Sequence, residues 1–369
     1  MKETDLLKAM TPAQRVALAG ELLAASTRDR RFDRLLLLDR AAFRPYADTV
    51  LGWDDEQLCR LYKANFRNFW KIARGAADAA VDALAGTIRA NLPALAQNRA
   101  NATHYRVELL IGADTGRAHA HLADLARQSA EVACHCHECH LEIPASGPAV
   151  RRFAPDFLDI NAYQVTEGDV VHTAGLDFPL EAADYMPENR GWVCLAPPAH
   201  ILTVRLDLLP GDPLAASPLK RQHWFSSSGE ECCDEATVGH SLAYRVLSGS
   251  DRLVTLVTNL SYPDELRDAE GACDYEDGDR EPFTSRHRLV LEPFVGERLK
   301  WPHEHLGRLG GYPDWWQQPE TPDCPLCGRL MFYVGQVDAD VVRKDVIHAA
   351  LYAFHCEDCG VGAQVVQIT

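Results

Sequence analysis

CPLCGRLMFYVGQVD, residues 324–338, and LYAFHCEDCGVGAQVVQIT, residues 351–369, are the stretches on which the fold turns. Each holds a Cys-x-x-Cys-Gly: Cys324 and Cys327 precede Gly328, and Cys356 and Cys359 precede Gly360. Two thiolates on one tight turn supply half of a tetrahedral zinc sphere. Glycine after the second cysteine permits the left-handed backbone that aims amides at the sulfurs. Between the pairs, RLMFYVGQV reads as a strand leaving the first turn and ALYAFHC as a strand returning to the second. Paired antiparallel, they bring both turns to the same end of a hairpin. The spacing therefore predicts a structural zinc ribbon over residues 324–369, its ion held by four thiolates with no position left for water or substrate. A thioredoxin-like redox pair is disfavoured, because neither motif sits in a βαβ pattern.

Working outward, 369 residues suffice for two or three domains and a core that needs no crosslinks. The first residues, MKETDLLKAMTPAQRVALAGELL, carry charges throughout and show no apolar signal region. Apolar runs such as residues 35–38 and 253–257 fall far short of the roughly 20 residues that cross a bilayer. The expectation is a cytoplasmic protein without a membrane partner, in which paired thiols point to metal sooner than to disulfides. The net charge of -16 is unevenly spread. Residues 1–130 carry 19 basic and 15 acidic side chains, whereas the remainder carries 18 against 38. Such an acidic surface repels phosphate backbones, so no nucleic-acid partner is expected, and it attracts basic proteins.

The fold class expected is α+β, with a helical module over residues 1–130 and a strand-rich domain over 131–369. Thr11, Pro12 and Gln14 form a capping box and first-turn proline ahead of an apolar stripe. Asp54 and Asp55 open a helix expected to run through EQLCRLYKANFRNFWKIA, and AADAAVDALAGTIRA and RAHAHLADLARQSAEVA continue the helical pattern. From about Cys134 proline and glycine become frequent, and short strand-like runs follow, among them AHILTVRLDLL, AYRVLS, DRLVTLVTNL and HRLVLEPF. Residues 261–282 crowd nine carboxylates against two arginines. Asp274, Glu276 and Asp277 in this loop are candidate contacts for a basic partner.

The segment GRLGGYPDWWQQPETPDCPLCGRLMFYVGQVDAD, with LYAFHCEDCGVGAQVVQ after it, resembles the YwqG-like family over about residues 306–369. The matching positions are Gly310, Gly311, Pro313, Trp315, Gln317, Pro322, Cys324, Cys327, Gln336, Asp338 and Gln367. That family belongs to the TYPP superfamily, which also holds programmed-cell-death-type proteins that chaperone a ribosomal protein. The resemblance implies a β-rich protein-binding scaffold, an immunity factor or a client-specific chaperone, without a shared catalytic apparatus. Trp315 and Trp316 are candidate partner contacts: neighbours on an extended chain point opposite ways, so one ring packs inward and the other is free to serve as an anchor.

A second dense stretch, ACHCHECHLEIPASGPAVRRF, suggests a further zinc site over residues 134–200. Its ligands would be Cys136 and Cys139 on a turn that opens a hairpin, completed by Cys194 and His200, with Cys232, Cys233 and His172 as further candidates. Cys136-x-x-Cys139-His140 also matches a c-type haem attachment, a reading disfavoured by the missing export signal. No G-x-S-x-G elbow, P-loop, G-x-G-x-x-G or H-E-x-x-H occurs. The alternative to a binding scaffold is a metal-dependent hydrolase built on His303 and His305 in WPHEHLG.

Overall fold

A capping box opens the first long helix. The Gln14 amide donates to Thr11 Oγ1 at 3.3 Å while the Thr11 amide donates to Gln14 Oε1 at 2.8 Å. This reciprocal pairing satisfies two donors that a helix start leaves over. The structure, a computed structural model, describes residues 3–25, 29–64, 69–95, 102–164, 176–177, 185–187, 199–226, 242–246, 253–257, 287–293, 303–338 and 349–368. Its helices are α1 (Glu3–Ala9), α2 (Pro12–Ala24), α3 (Arg30–Leu38), α4 (Ala47–Leu51), α5 (Asp55–Ala64), α6 (Asp78–Ala90), α7 (Leu92–Leu95), α8 (Ala102–Ala113), α9 (Gly116–Gln128) and α10 (Ala130–Glu138). Among the described residues, no helix is long and apolar enough to cross a membrane.

Helix α8 is the hub of this unit. Tyr105, Val107, Leu109, Leu110 and Ile111 are all buried, so the helix is covered on every side, and Arg106 is buried with them. The Arg106 guanidinium meets Asp55 at 2.6 Å. Two expected helices differ from their expected form. Over residues 56–73 the described residues are α5 and, in place of an α-helix, a short 3-10 turn, Phe69–Ala73. Residues 117–133 break at Ser129, which ends α9 and accepts from the Val132 amide at 3.3 Å to start α10.

The boundary between two compact units falls between Arg151 and Arg152, about twenty residues beyond the change in sequence texture. Core membership explains the shift. Val132, Cys136, Leu141 and Ala149 are buried in the helical core. The hairpin of β1 (Leu141–Glu142) and β2 (Val150–Arg151) is tied there by an Ala149 amide to His119 carbonyl bond of 3.0 Å, and by Arg151 to Asp114.

The second unit contains β3 (Phe157–Gln164), β4 (Leu176–Asp177), β5 (Tyr185–Pro187), β6 (Ala199–Arg205), β7 (Arg221–Ser226), β8 (Leu242–Val246), β9 (Leu253–Val257), β10 (His287–Pro293), β11 (His303–Gly310), β12 (Phe332–Asp338), β13 (Ala349–Cys356) and β14 (Val361–Ile368). Nine described strands make one sheet in the order β10-β3-β11-β12-β13-β14-β8-β9-β5, antiparallel except for β5 with β9. A three-stranded sheet, β4-β6-β7, supplies Leu202, Val204 and Trp224 to the core on one face of the large sheet. Strand β13 is buried on both faces: Leu351 and Ala353 enter that core, while Tyr352, Phe354 and Cys356 enter the core opposite.

Strands β11 and β12 approach so closely that only glycine fits on each. A Cβ on Gly307 would lie 2.0 Å from the Gln336 carbonyl oxygen, and one on Gly335 would lie 2.3 Å from that of Arg308. Both sites adjoin register shifts. Gly335→Ala is expected to cost about 3 kcal/mol. In α6, a Cβ on Gly86 meets nothing within 4 Å, so Gly86→Ala should stabilise by about 1 kcal/mol. Denaturant unfolding of the two variants checks the contrast.

Candidate metal centre

The four C-terminal cysteines converge. Strand β12 leaves the first Cys-x-x-Cys turn and β13 returns to the second, with Phe332 opposite His355, so both turns lie at one end of the pair. The first turn closes through a Gly328 amide to Cys324 carbonyl bond of 2.8 Å and a Cys324 amide to Arg329 carbonyl bond of 2.8 Å. The second is the four-residue link from Cys356 to its partner Val361 in β14, closed by the Gly360 amide on the Cys356 carbonyl at 2.9 Å. Gly328 and Gly360 have φ of +69° and +62°, the left-handed region that glycine occupies without strain.

One sulfur from each of Cys324, Cys327, Cys356 and Cys359 lies within 4.8 Å of all the others. The Cys327 and Cys356 sulfurs are 3.7 Å apart. A disulfide needs about 2.05 Å, and all four cysteines are free. Sulfurs about 2.3 Å from a tetrahedral ion stand about 3.8 Å from one another, so the observed spacing is that of ligands around a single ion. Burial pushes the Cys356 thiol up, and that of Cys359 up to about 11. Burial works in the same direction on Cys327, but the Arg329 amide and the neighbouring thiols outweigh it and hold that thiol below its ordinary value. A bound ion would displace the remaining protons. The quartet is thus arranged so that it could hold one metal ion.

Three features brace it. Arg152 donates from Nε to the Leu330 carbonyl at 3.0 Å and from both terminal nitrogens to Glu357 at 2.7 Å, joining the exit of one turn to the start of the other. Arg329 pairs with Asp358 across the turns. The segment after β11 lies over the same face, its backbone held by two carboxamides. Gln336 Oε1 accepts from the Asp314 amide at 3.0 Å. Gln367 Oε1 accepts from the Trp316 and Gln317 amides, both at 3.0 Å, while its Nε2 donates to the Gln318 carbonyl at 2.7 Å. Tyr352 Oη adds a bond to the Asp314 carbonyl at 2.9 Å.

This clamp corrects the reading of the tryptophans. Trp315 and Trp316 are both half-buried and pack on the core that contains Cys324 and Cys356, Trp315 with its ring 4.5 Å from that of Tyr352. Neither ring is therefore fully exposed, where one inward and one free ring was expected. Asp274, Glu276 and Asp277 lie outside the described residues.

The N-terminal Cys/His stretch also differs from its expected form. Cys136 and Cys139 stand at helical spacing on α10 and its C-cap, not on a turn. Cys136 is fully buried among apolar side chains of the helical core, and among the described residues it belongs to no cluster of potential metal ligands. Cys194 lies outside the described residues, and His200 is on β6, in the other unit. The backbone of His303 and His305 lies on β11, opposite Tyr163 and Asn161. A second potential ligand group comprises His104, Glu108 and His135. The sequence signals for it were the His104-x-x-x-Glu108 spacing, which puts both side chains on one helical face, and the dense Cys/His stretch that contains His135.

No family model matches this chain, and no solved structure matches it. A segment of 65 residues is 33% identical to the uncharacterized protein YpfL of Salmonella typhimurium strain LT2, covering 17% of this chain. The match spans 15% of that protein's length.

Proposed function

We propose that this is a zinc-stabilised protein-binding scaffold of the YwqG-like kind, working in the cytoplasm on a basic protein as an immunity factor or client-specific chaperone. The observation that carries the proposal is the closed four-thiolate set. Sulfur donors in a tetrahedral arrangement suit zinc or iron, and zinc is the ion without redox chemistry that such paired turns hold for structural purposes. The residues of the YwqG-like resemblance support the reading, since Gln336 and Gln367 fasten the Gly-Tyr-Pro-Asp-Trp segment beside the cysteines. The partner's basic character rests on the acidic balance of residues 131–369 and on the cluster at residues 261–282. The same charge argues against a nucleic-acid partner.

The native protein is expected to be colourless, with zinc that a Cys324→Ser, Cys356→Ser variant no longer carries. Crosslinking in the host cell should recover a stoichiometric basic protein, bound less tightly in added salt and when Asp274, Glu276 and Asp277 become asparagine. Red, iron-loaded protein would overturn the zinc assignment. No basic partner, together with a hydrolytic activity abolished by His303→Ala, would replace the scaffold reading with the His-x-His hydrolase.

A further inference from the structure

We propose that His104, Glu108 and His135 form a second divalent-metal site inside the helical unit, distinct in chemistry from the cysteine quartet. The site is built on the hub helix. His104 and Glu108 are one turn apart on α8, and α10, which starts at its own serine cap, brings His135 against them. His135 Nε2 is 3.6 Å from Glu108 Oε1, His104 Nε2 is 4.0 Å from the same oxygen, and the two imidazole centroids are 4.0 Å apart. One donor atom from each residue lies within 4.8 Å of the others.

These separations are too long for hydrogen bonds, which span about 2.7–3.2 Å. They approach the spacing of donors that share an ion: ligand atoms about 2.1 Å from a tetrahedral zinc stand about 3.4 Å apart. Burial sharpens the case. The His135 side chain is 8% exposed, and neither ring nitrogen makes a hydrogen bond of normal length. An imidazole so placed is costly unless something occupies its donors. Its Nδ1 faces Glu138 at 3.5 Å while its Nε2 faces Glu108. A carboxylate on one side of the ring and the other nitrogen aimed at the cluster is the disposition that a carboxylate–histidine–metal arrangement would tighten on binding an ion. Cys139, one turn after His135, also interacts with the imidazole. His104, 24% exposed, marks the side from which an ion enters.

Two imidazoles and a carboxylate suit Zn2+ or Fe2+ and leave coordination positions open, where the quartet leaves none. The dense ACHCHECH stretch thus has a metal role displaced by one residue: His135 takes it, and Cys136 goes to the core.

The test uses the full-length protein, treated with a chelator mild enough to leave the cysteine site loaded, then titrated with Zn2+ against a competing indicator. Wild type is expected to take up one further equivalent, and Glu108→Gln, which preserves side-chain shape, to bind it on the order of 100-fold more weakly. The Cys324→Ser, Cys356→Ser variant should keep this uptake. Far-UV circular dichroism confirms that Glu108→Gln keeps its helices, and His135→Gln provides a second variant with the same expected loss. Absence of a further equivalent in wild type, or uptake by both folded variants as tight as wild type, overturns the site and leaves a buried ion-pair cluster.

Discussion

Changing Cys324 and Cys356 together to serine is expected to release the quartet's metal and unfold the strand-rich unit while leaving the helices intact. The magnitude follows from coupling. A structural zinc site supplies on the order of 10 kcal/mol to the elements it joins, and a domain's net stability is itself only about 5–15 kcal/mol. The two cysteines lie on different turns, so the double change leaves each turn one ligand and no ion to share. Cys324 and Cys356 are also buried in the core with Tyr333, Tyr352 and Phe354, so loss of the ion opens an apolar face of the sheet. The helical unit has a separate core around α8, hence the predicted split between probes. Metal per chain should fall by one equivalent, and near-ultraviolet dichroism from Trp224, Trp315 and Trp316 should collapse with the helical far-ultraviolet signal retained. A double variant with wild-type tryptophan packing and an unchanged unfolding midpoint would show that the quartet does not hold the unit together.

The quartet was legible because its information is local: two cysteines, a glycine and a strand on each side determine where the sulfurs go. The same spacing misled at Cys136 and Cys139, since a Cys-x-x-Cys on a helix also places two sulfurs on one face. What separates the cases is convergence, which comes from tertiary packing: a second pair meets Cys324 and Cys327, while Cys136 packs with Val132 and Leu141 and joins no ligand cluster among the described residues. Strand β11, HEHLGRLG, gave little β signal because only Leu306 and Leu309 are apolar, yet it sits between β3 and β12. Its pairing depends on the glycine that lets it approach β12. The domain boundary was displaced for a related reason: proline, glycine and cysteine change the texture near residue 134, while α10 and the following hairpin still belong to the helical core. Gln336 and Gln367 stood out in the sequence only through the YwqG-like resemblance, because a glutamine that accepts from backbone amides far along the chain has no local signature.

The second large effect is expected from the brace behind the quartet. Arg152 is 6% exposed at its side chain and Glu357 25%, and their two 2.7 Å bonds form a fork that leaves little of the guanidinium for water. Glu357→Met keeps the volume and excludes solvent, leaving a buried cation without its counterion, which costs about 3–5 kcal/mol. Arg152→Met should also destabilise, since it removes the donor to the Leu330 carbonyl and strands the carboxylate. Replacing both residues by methionine removes the charges together, and apolar substitutes for a buried pair are often near neutral. The double variant is therefore expected to be more stable than Glu357→Met alone, with a strong coupling energy in the cycle. Denaturant unfolding of the four metal-loaded proteins measures it. If the two single costs simply add, Arg152 and Glu357 act independently, and the turns of the metal centre are held by the ion and the backbone alone.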